Sequence, residues 1–152
     1  MTDAPSHPGR ADPNCIFCKI VAGQIPCHKL YEDDQVLAFL DIAPLSHGHC
    51  LIVPKAHYEL LDQTPDALVA AAAALAPRLG RAVLAATGTQ AWNLLQNNGR
   101  VAGQAVAHIH FHIIPRAVGD GLGYRWPAGK LDPKVGASLA QTISAGLRAG
   151  SD

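Results

Sequence analysis

Residues 108–116 read HIHFHIIPR, three histidines separated by Ile109 and Phe111 and followed by Ile113. In a β-strand, alternate side chains point to opposite faces. His108, His110 and His112 then share one face, while Ile109, Phe111 and Ile113 share the other and pack into a core. Successive imidazoles stand roughly 7 Å apart, twice the rise per residue, so two of them reach one phosphate-sized group. Three readings compete. The rings can be polar decoration of a half-buried strand. They can ligate a metal, since His-x-His supplies two zinc ligands. Or they can act directly, because an unperturbed imidazole is largely neutral and nucleophilic at pH 7.

The surroundings of this strand point to one α+β domain. The chain has 152 residues, 49% hydrophobic and 16% charged, enough to bury a core. Twelve basic and twelve acidic side chains cancel, which argues against holding long nucleic acid by charge alone. No run of 18 apolar residues predicts a membrane span, and the N-terminus lacks the apolar core of a secretory signal. A cytoplasmic, reducing compartment is therefore expected, with Cys15, Cys18, Cys27 and Cys50 free of structural disulfides.

Along the chain, residues 1–13 read as a flexible tail. CIFCKIVA, ended by Gly23, reads as a short helix, and Asp33-Asp34 as a hairpin turn between two strand-like runs. HGHCLIVPK is a further strand. Thr64 has the chemistry of an N-cap, with Pro65 opening a long helix. Leu68, Ala72, Leu75, Leu79 and Val83 recur at helical spacing. Pro77 predicts a kink in this helix and Gly88 its end. AWNLLQNN resumes strand character, GRVAGQAVA reads as a loop, and a last helix is expected over 133–149. Strands gathered around one long helix predict a largely antiparallel sheet.

The pattern His-φ-His-φ-His-φ-φ, with φ apolar, resembles the motif of the histidine triad (HIT) family at every position from His108 to Ile114. CIFCKIVAGQIP, YEDDQVLAFLDI, HGHCLIVPKAHY and NNGRVAGQ resemble segments of that family in the same order. The similarity covers about Cys15 to Arg116, and is greatest to Hint-like nucleotide hydrolases of the bacterial type that carry a CxxC zinc site. It implies a HIT domain over 14–116 with a five-stranded antiparallel sheet. It also implies a homodimer with a continuous ten-stranded sheet, and a C-terminal extension over 117–152 that packs on the same domain or on the dimer partner.

The resemblance also implies an activity: breaking a bond at the α-phosphate of a purine nucleotide, such as AMP in a phosphoramidate, dinucleoside polyphosphate or other adenylated compound. His110 would be the nucleophile, forming a covalent nucleotidyl-histidine. His112 would contact the phosphate and assist proton transfer, and His49 would orient or bond the nucleophile. Asn97 and Gln104 match amides lining the phosphate site, although NNG is also a good turn. Asp41 matches the carboxylate that accepts the ribose hydroxyls. Phe17, Phe39 and Ile42 match apolar residues near the base, a type indistinguishable from core. Ala105 departs from the Ser or Thr of many members and removes a hydroxyl donor, which leaves room for a regulatory nucleotide-binding module with little catalysis.

Cys15-Ile16-Phe17-Cys18 alone is ambiguous between a redox motif and half of a zinc site. The resemblance implies a structural zinc held by Cys15, Cys18, His57 and His108. It also implies that the C-terminal extension influences substrate choice, with Tyr124, Trp126 and Lys130 as candidates; a loop anchored by Trp126 is the plain alternative.

Overall fold

The computed structural model describes residues 9–123 and 127–149. The elements, in order, are α1 (Ile16–Val21), β1 (Lys29–Glu32), β2 (Val36–Leu40), β3 (Cys50–Pro54), α2 (Asp66–Thr87), β4 (Ala91–Gln96), β5 (Phe111–Arg116) and α3 (Pro133–Ala149). The strands form one antiparallel sheet in the order β1-β2-β3-β5-β4. The chain divides into two compact units, up to Leu122 and from Gly123 onward.

Strand alternation sorts the core into two layers. Val36, Ala38, Cys50, Ile52, Phe111 and Ile113 face α2 and meet its Ala72, Leu75, Ala76, Leu79 and Val83, with Ile109 in the same cluster. Leu37, Phe39, Leu51 and Val53 face the other way, against Phe17, Cys15 and Cys18. His112 lies opposite Leu51 and Leu95 in register, so it belongs to this second face. The apolar partners of the triad are therefore core on the α2 side, as their spacing predicts. By length and mean hydropathy α2 is apolar enough to cross a membrane, with 39% of its most apolar window buried. Here its buried face is seated on the sheet.

Two local expectations change. Helix α2 starts at Asp66 with Pro65 as its cap residue, and no side chain caps it. The Thr64 hydroxyl instead donates backward to the Leu60 carbonyl at 2.9 Å, closing the preceding turn. The helix contains Pro77 and ends at Gly88, in left-handed conformation (φ 71°), as expected. Strand β5 begins only at Phe111. His108 and Ile109 leave the ladder because their backbone N–H groups bond elsewhere: His108 N–H to the Val106 carbonyl at 2.9 Å, and Ile109 N–H to the Tyr58 carbonyl at 2.7 Å.

The segment from Gly9 is also tied down, in contrast to the expected tail. Gly9 N–H donates to the His57 carbonyl at 2.7 Å, and Asp12 N–H to Cys18 Sγ at 3.3 Å. In the second unit, α3 occupies the expected residues. Asp132 Oδ1 caps it, accepting from the Lys134 and Val135 N–H groups at 2.9 and 3.1 Å. Tyr124 and Trp126 lie outside the described residues, and Lys130 stands in the exposed stretch before α3.

Candidate active site and metal centre

Helix α1 lays Cys15, Cys18 and Phe17 against the face of the sheet that carries the histidines. Cys15 Sγ is 3.4 Å from His108 Nδ1, Cys18 Sγ is 3.3 Å from His57 Nδ1, and the two Nδ1 atoms are 3.2 Å apart. Tetrahedral zinc with ordinary bond lengths separates a sulfur from a nitrogen by about 3.6 Å and two nitrogens by about 3.3 Å. The four buried ligand atoms lie within 4.8 Å of one another, so they can hold a metal ion. Their tautomer agrees. Because His108 Nε2–H donates to Pro54, its Nδ1 lone pair faces the sulfurs. Burial pushes the Cys18 thiol up to about 11 and the His108 ring down to about 4. A bound cation would reverse the thiol shift.

Two residues on, His110 turns its ring away from this cluster. Its Nδ1 donates to the His108 carbonyl at 2.7 Å, which fixes the proton on Nδ1 and leaves the Nε2 lone pair free. Phe17 lies edge-on to this ring at 5.1 Å and to Phe39 at 5.9 Å. His112 stacks beside His110 with centroids 4.8 Å apart. The three rings of the motif therefore do not share one metal. Each Nδ1 is committed elsewhere: to sulfur, to a carbonyl, and, for His112, to His49.

The His49 contact differs from expectation. Its Nε2 is 2.9 Å from His112 Nδ1, so it bonds the third triad histidine rather than the second. The Leu45 N–H reaches His49 Nδ1 at 3.1 Å. A ring nitrogen that accepts from a backbone N–H carries no proton, so His49 Nε2–H donates to His112 Nδ1. His112 in turn carries its proton on Nε2. Neighbouring rings thus present opposite chemistry: His110 a lone pair, His112 a proton. Desolvation lowers the pKa of His49, His110 and His112, the last to about 4, aided by the adjacent imidazoles. All three rings are neutral at pH 7.

Asp41 follows β2, with Oδ2 3.7 Å from His49 Nε2 and Oδ1 accepting from Ala43 N–H at 2.8 Å. Ile42 is 84% exposed beside it and packs in neither core. Gln104 holds a surprise. It is buried, its Oε1 accepts from Gly99 N–H at 2.7 Å, and its Nε2 donates to the Glu59 and Val106 carbonyls at 2.7 and 3.0 Å. Its amide bonds backbone on three sides and braces the loop. Asn97 reaches across the same loop toward the Gly103 carbonyl at 3.5 Å. Exposed Ala105 borders a cavity of about 770 Å³, with Glu59, Arg100 and Ala107 in its walls. The sequence pattern misses Leu45 and Ser46. Nothing local marks them, because one acts through its backbone and the other bonds Pro115, far along the chain.

The chain is similar to known proteins in sequence and fold. The chain is 54% identical over 103 residues to "Adenylylsulfatase HINT3" of Arabidopsis thaliana, covering 68% of this chain and 52% of that protein. It thus spans about half the length of that relative. To "Adenosine 5'-monophosphoramidase hnt1" of Schizosaccharomyces pombe it is 44% identical over 136 residues, covering 89% and 99% of the two chains. A solved HIT family protein from Bacillus subtilis superposes with a TM-score of 0.82 at 42% identity, covering 87% and 96%. A "ZN-bound histidine triad family protein" from Mycobacterium smegmatis superposes at 0.69 and 39% identity, covering 87% and 97%. Residues 22–119 match the HIT domain. These residues span the sheet, α2 and the motif itself, and on that ground the chain belongs to the HIT domain family.

Proposed function

We propose that the protein is a nucleotide hydrolase or transferase that breaks a bond at the α-phosphate of a purine nucleotide, through a nucleotidyl-histidine on His110. The substrate class is a nucleoside phosphoramidate, a dinucleoside polyphosphate or a related adenylated compound. One observation carries this reading: the opposite tautomers of His110 and His112. His110 Nε2, whose lone pair is free because Nδ1–H donates to the His108 carbonyl, attacks phosphorus and forms a P–N bond. The bond from phosphorus to the leaving group breaks while His112 Nε2–H hydrogen-bonds the departing atom, which takes its proton from solvent. A water molecule then adds to phosphorus, releases a proton to solvent and displaces His110, freeing the nucleoside monophosphate. Desolvation supports the role of His110, because a protonated ring has no lone pair to offer.

Asp41 accepts the ribose hydroxyls, and Phe17, Phe39 and Ile42 border the base. Backbone N–H groups of the loop at Ala105 replace the absent hydroxyl at the phosphate, with Asn97 beside them and Gln104 bracing the loop. The cavity by Ala105 has room for the leaving group. Zinc in the Cys15, Cys18, His57 and His108 set would tie the N-terminal segment to the triad without taking part in the chemistry. The Mycobacterium smegmatis structure and the ligand separations support that identity. Strand β4 lies at the edge of the sheet with Leu94 48% exposed, which supports pairing of two copies into a ten-stranded sheet. Cytoplasmic location follows from the reduced thiols this metal set needs.

A second reading, a nucleotide-binding module with little turnover, is favoured by Ala105 alone. Assays with adenosine phosphoramidate and diadenosine polyphosphates separate the two. We expect turnover by the wild type, loss of at least about a thousandfold in His110→Ala with AMP binding kept, and an acid-labile nucleotide adduct on quenching. Full activity in His110→Ala overturns the covalent route; binding without turnover of any of these compounds favours the module.

A further inference from the structure

Immediately upstream of the buried thiol Cys50, the chain makes a tight loop from Asp41 to His49. Asp41 N–H donates to the His49 carbonyl at 3.0 Å and closes the loop at its base. His49 N–H donates to the Ser46 carbonyl at 3.0 Å, forming a turn inside it. The Ser46 hydroxyl donates to the Pro115 carbonyl at 2.7 Å, near the far end of β5. Gly48, at φ 88°, has no room for a side chain: a Cβ there would lie 2.5 Å from Thr87 Cγ2 of α2. The loop is thus pinned between α2 and the strand that carries His112.

What the loop presents is the Leu45 N–H on His49 Nδ1, at 3.1 Å. Asp41, His49 and His112 bring one ligand atom each within 4.8 Å of one another, a set that could otherwise take a divalent cation. For His49 Nε2 to ligate, its proton must move to Nδ1, where it would meet the Leu45 N–H donor to donor. The same backbone contact that orients a proton therefore also disfavours a metal.

We propose that Ser46 is a positioning residue for the proton-donating side of the site: by tying the Asp41–His49 loop to Pro115 it holds the Leu45 N–H on His49, and so sets which ring nitrogen of His49, and through it of His112, carries a proton. The consequence for catalysis rests on the function proposed above; the tautomers themselves do not. Removal of the hydroxyl loosens the loop, so that both neutral forms of His49 and His112 become populated. Only one form of His112 presents an N–H donor to a leaving group.

Ser46→Ala, Ser46→Thr and Leu45→Pro in the full-length protein test this, with ¹⁵N-labelled histidine read by NMR. In the wild type we expect His49 and His112 each with a protonated Nε2 and an unprotonated Nδ1. In Ser46→Ala and in Leu45→Pro, which deletes the N–H itself, the two nitrogen signals of each ring should move toward each other. Ser46→Thr should restore the wild-type pattern. His110 is an internal control, since its Nδ1 bonds the His108 carbonyl, and its signals should not move. With adenosine phosphoramidate, kcat should fall about tenfold in Ser46→Ala at unchanged KM, and added Zn²⁺ should inhibit the variant more strongly than the wild type. Unchanged His49 and His112 signals in folded Ser46→Ala, or equal shifts at His110, overturn the inference whatever the activity. Wild-type tautomers as expected, with no turnover of any nucleotide, would instead strike the functional reading and leave the lock standing.

Discussion

The carbonyl of His108 holds His110 Nδ1 at 2.7 Å while the ring of His108 places its own Nδ1 3.4 Å from Cys15 Sγ. One residue thus faces the Cys and His set with its side chain and the proposed nucleophile with its backbone. The strand cannot move at the metal set without moving the group that fixes the His110 tautomer.

Metal loss should therefore cost both stability and turnover, whereas loss of the nucleophile should cost only turnover. Cys18→Ser should lose bound zinc by elemental analysis and lower Tm by about 10 °C. His110→Ala should keep the metal and nearly the wild-type Tm. The converse pattern, metal lost from His110→Ala and kept in Cys18→Ser, would move the ion to the triad and sink this division of labour.

The pH dependence has a definite sign. His112 is held at about 4 by burial and by its imidazole neighbours, below the 6.5 of a ring in the unfolded chain. Between those values the unfolded chain binds more protons, so stability falls as pH drops from about 6.5 toward 4 and is level above. The lowered pKa of His110 likewise keeps its lone pair available. The acid limb of kcat/KM should then lie below 6.5. Urea unfolding and initial rates measured from pH 4 to 8 check both; an acid limb at or above 6.5 would contradict the desolvated site.

Gly80 sits in α2 against Trp92 of β4. A Cβ built there would lie 2.7 Å from Trp92 Cζ2 and 2.8 Å from Cε2. Alanine normally favours a helix over glycine by about 1 kcal/mol, but a rigid indole at this distance must shift, an overpacking cost of about 1–3 kcal/mol. Gly80→Ala should thus be destabilising by about 1 kcal/mol on denaturant unfolding. A gain in stability would mean that Trp92 yields freely, and that helix propensity decides the sign.

Much of this organisation is legible in the sequence where the signal is local. The two-residue period of HIHFHIIPR places Ile109, Phe111 and Ile113 in the α2-side core. Asp33 and Gly88 mark a turn and a helix end through their own chemistry. The CxxC is visible, but its two histidine partners are 39 and 90 residues or more away and only the family resemblance brings them together. Single groups with a choice of partner are not legible. Thr64 spends its hydroxyl backward, and His49 selects His112 over His110. Ser46 reaches a carbonyl 69 residues on. In each case the deciding contact is tertiary, and the residue type is compatible with several.

Gln104 is the strongest example, because its type matches a ligand donor while its bonds make it a brace. Its Nε2 faces two carbonyls, Glu59 and Val106, and its Oε1 takes the Gly99 N–H. Three chain segments meet there: the turn after β4, the stretch following His57, and the approach to His108. Gln104→Glu keeps the shape and the Gly99 bond but turns a carboxylate oxygen toward two carbonyls. With the side chain buried, that costs about 3 kcal/mol, relieved only by protonation of the carboxyl or by movement of the loop. Movement shifts the backbone N–H groups at Ala105, so KM for adenosine phosphoramidate should rise several-fold and Tm should fall by about 6–12 °C. Both effects should shrink as the pH is lowered toward the range where the new carboxyl protonates. A Gln104→Glu protein with normal Tm and a kcat defect alone would show that the amide contacts substrate after all, and would return Gln104 to the phosphate site.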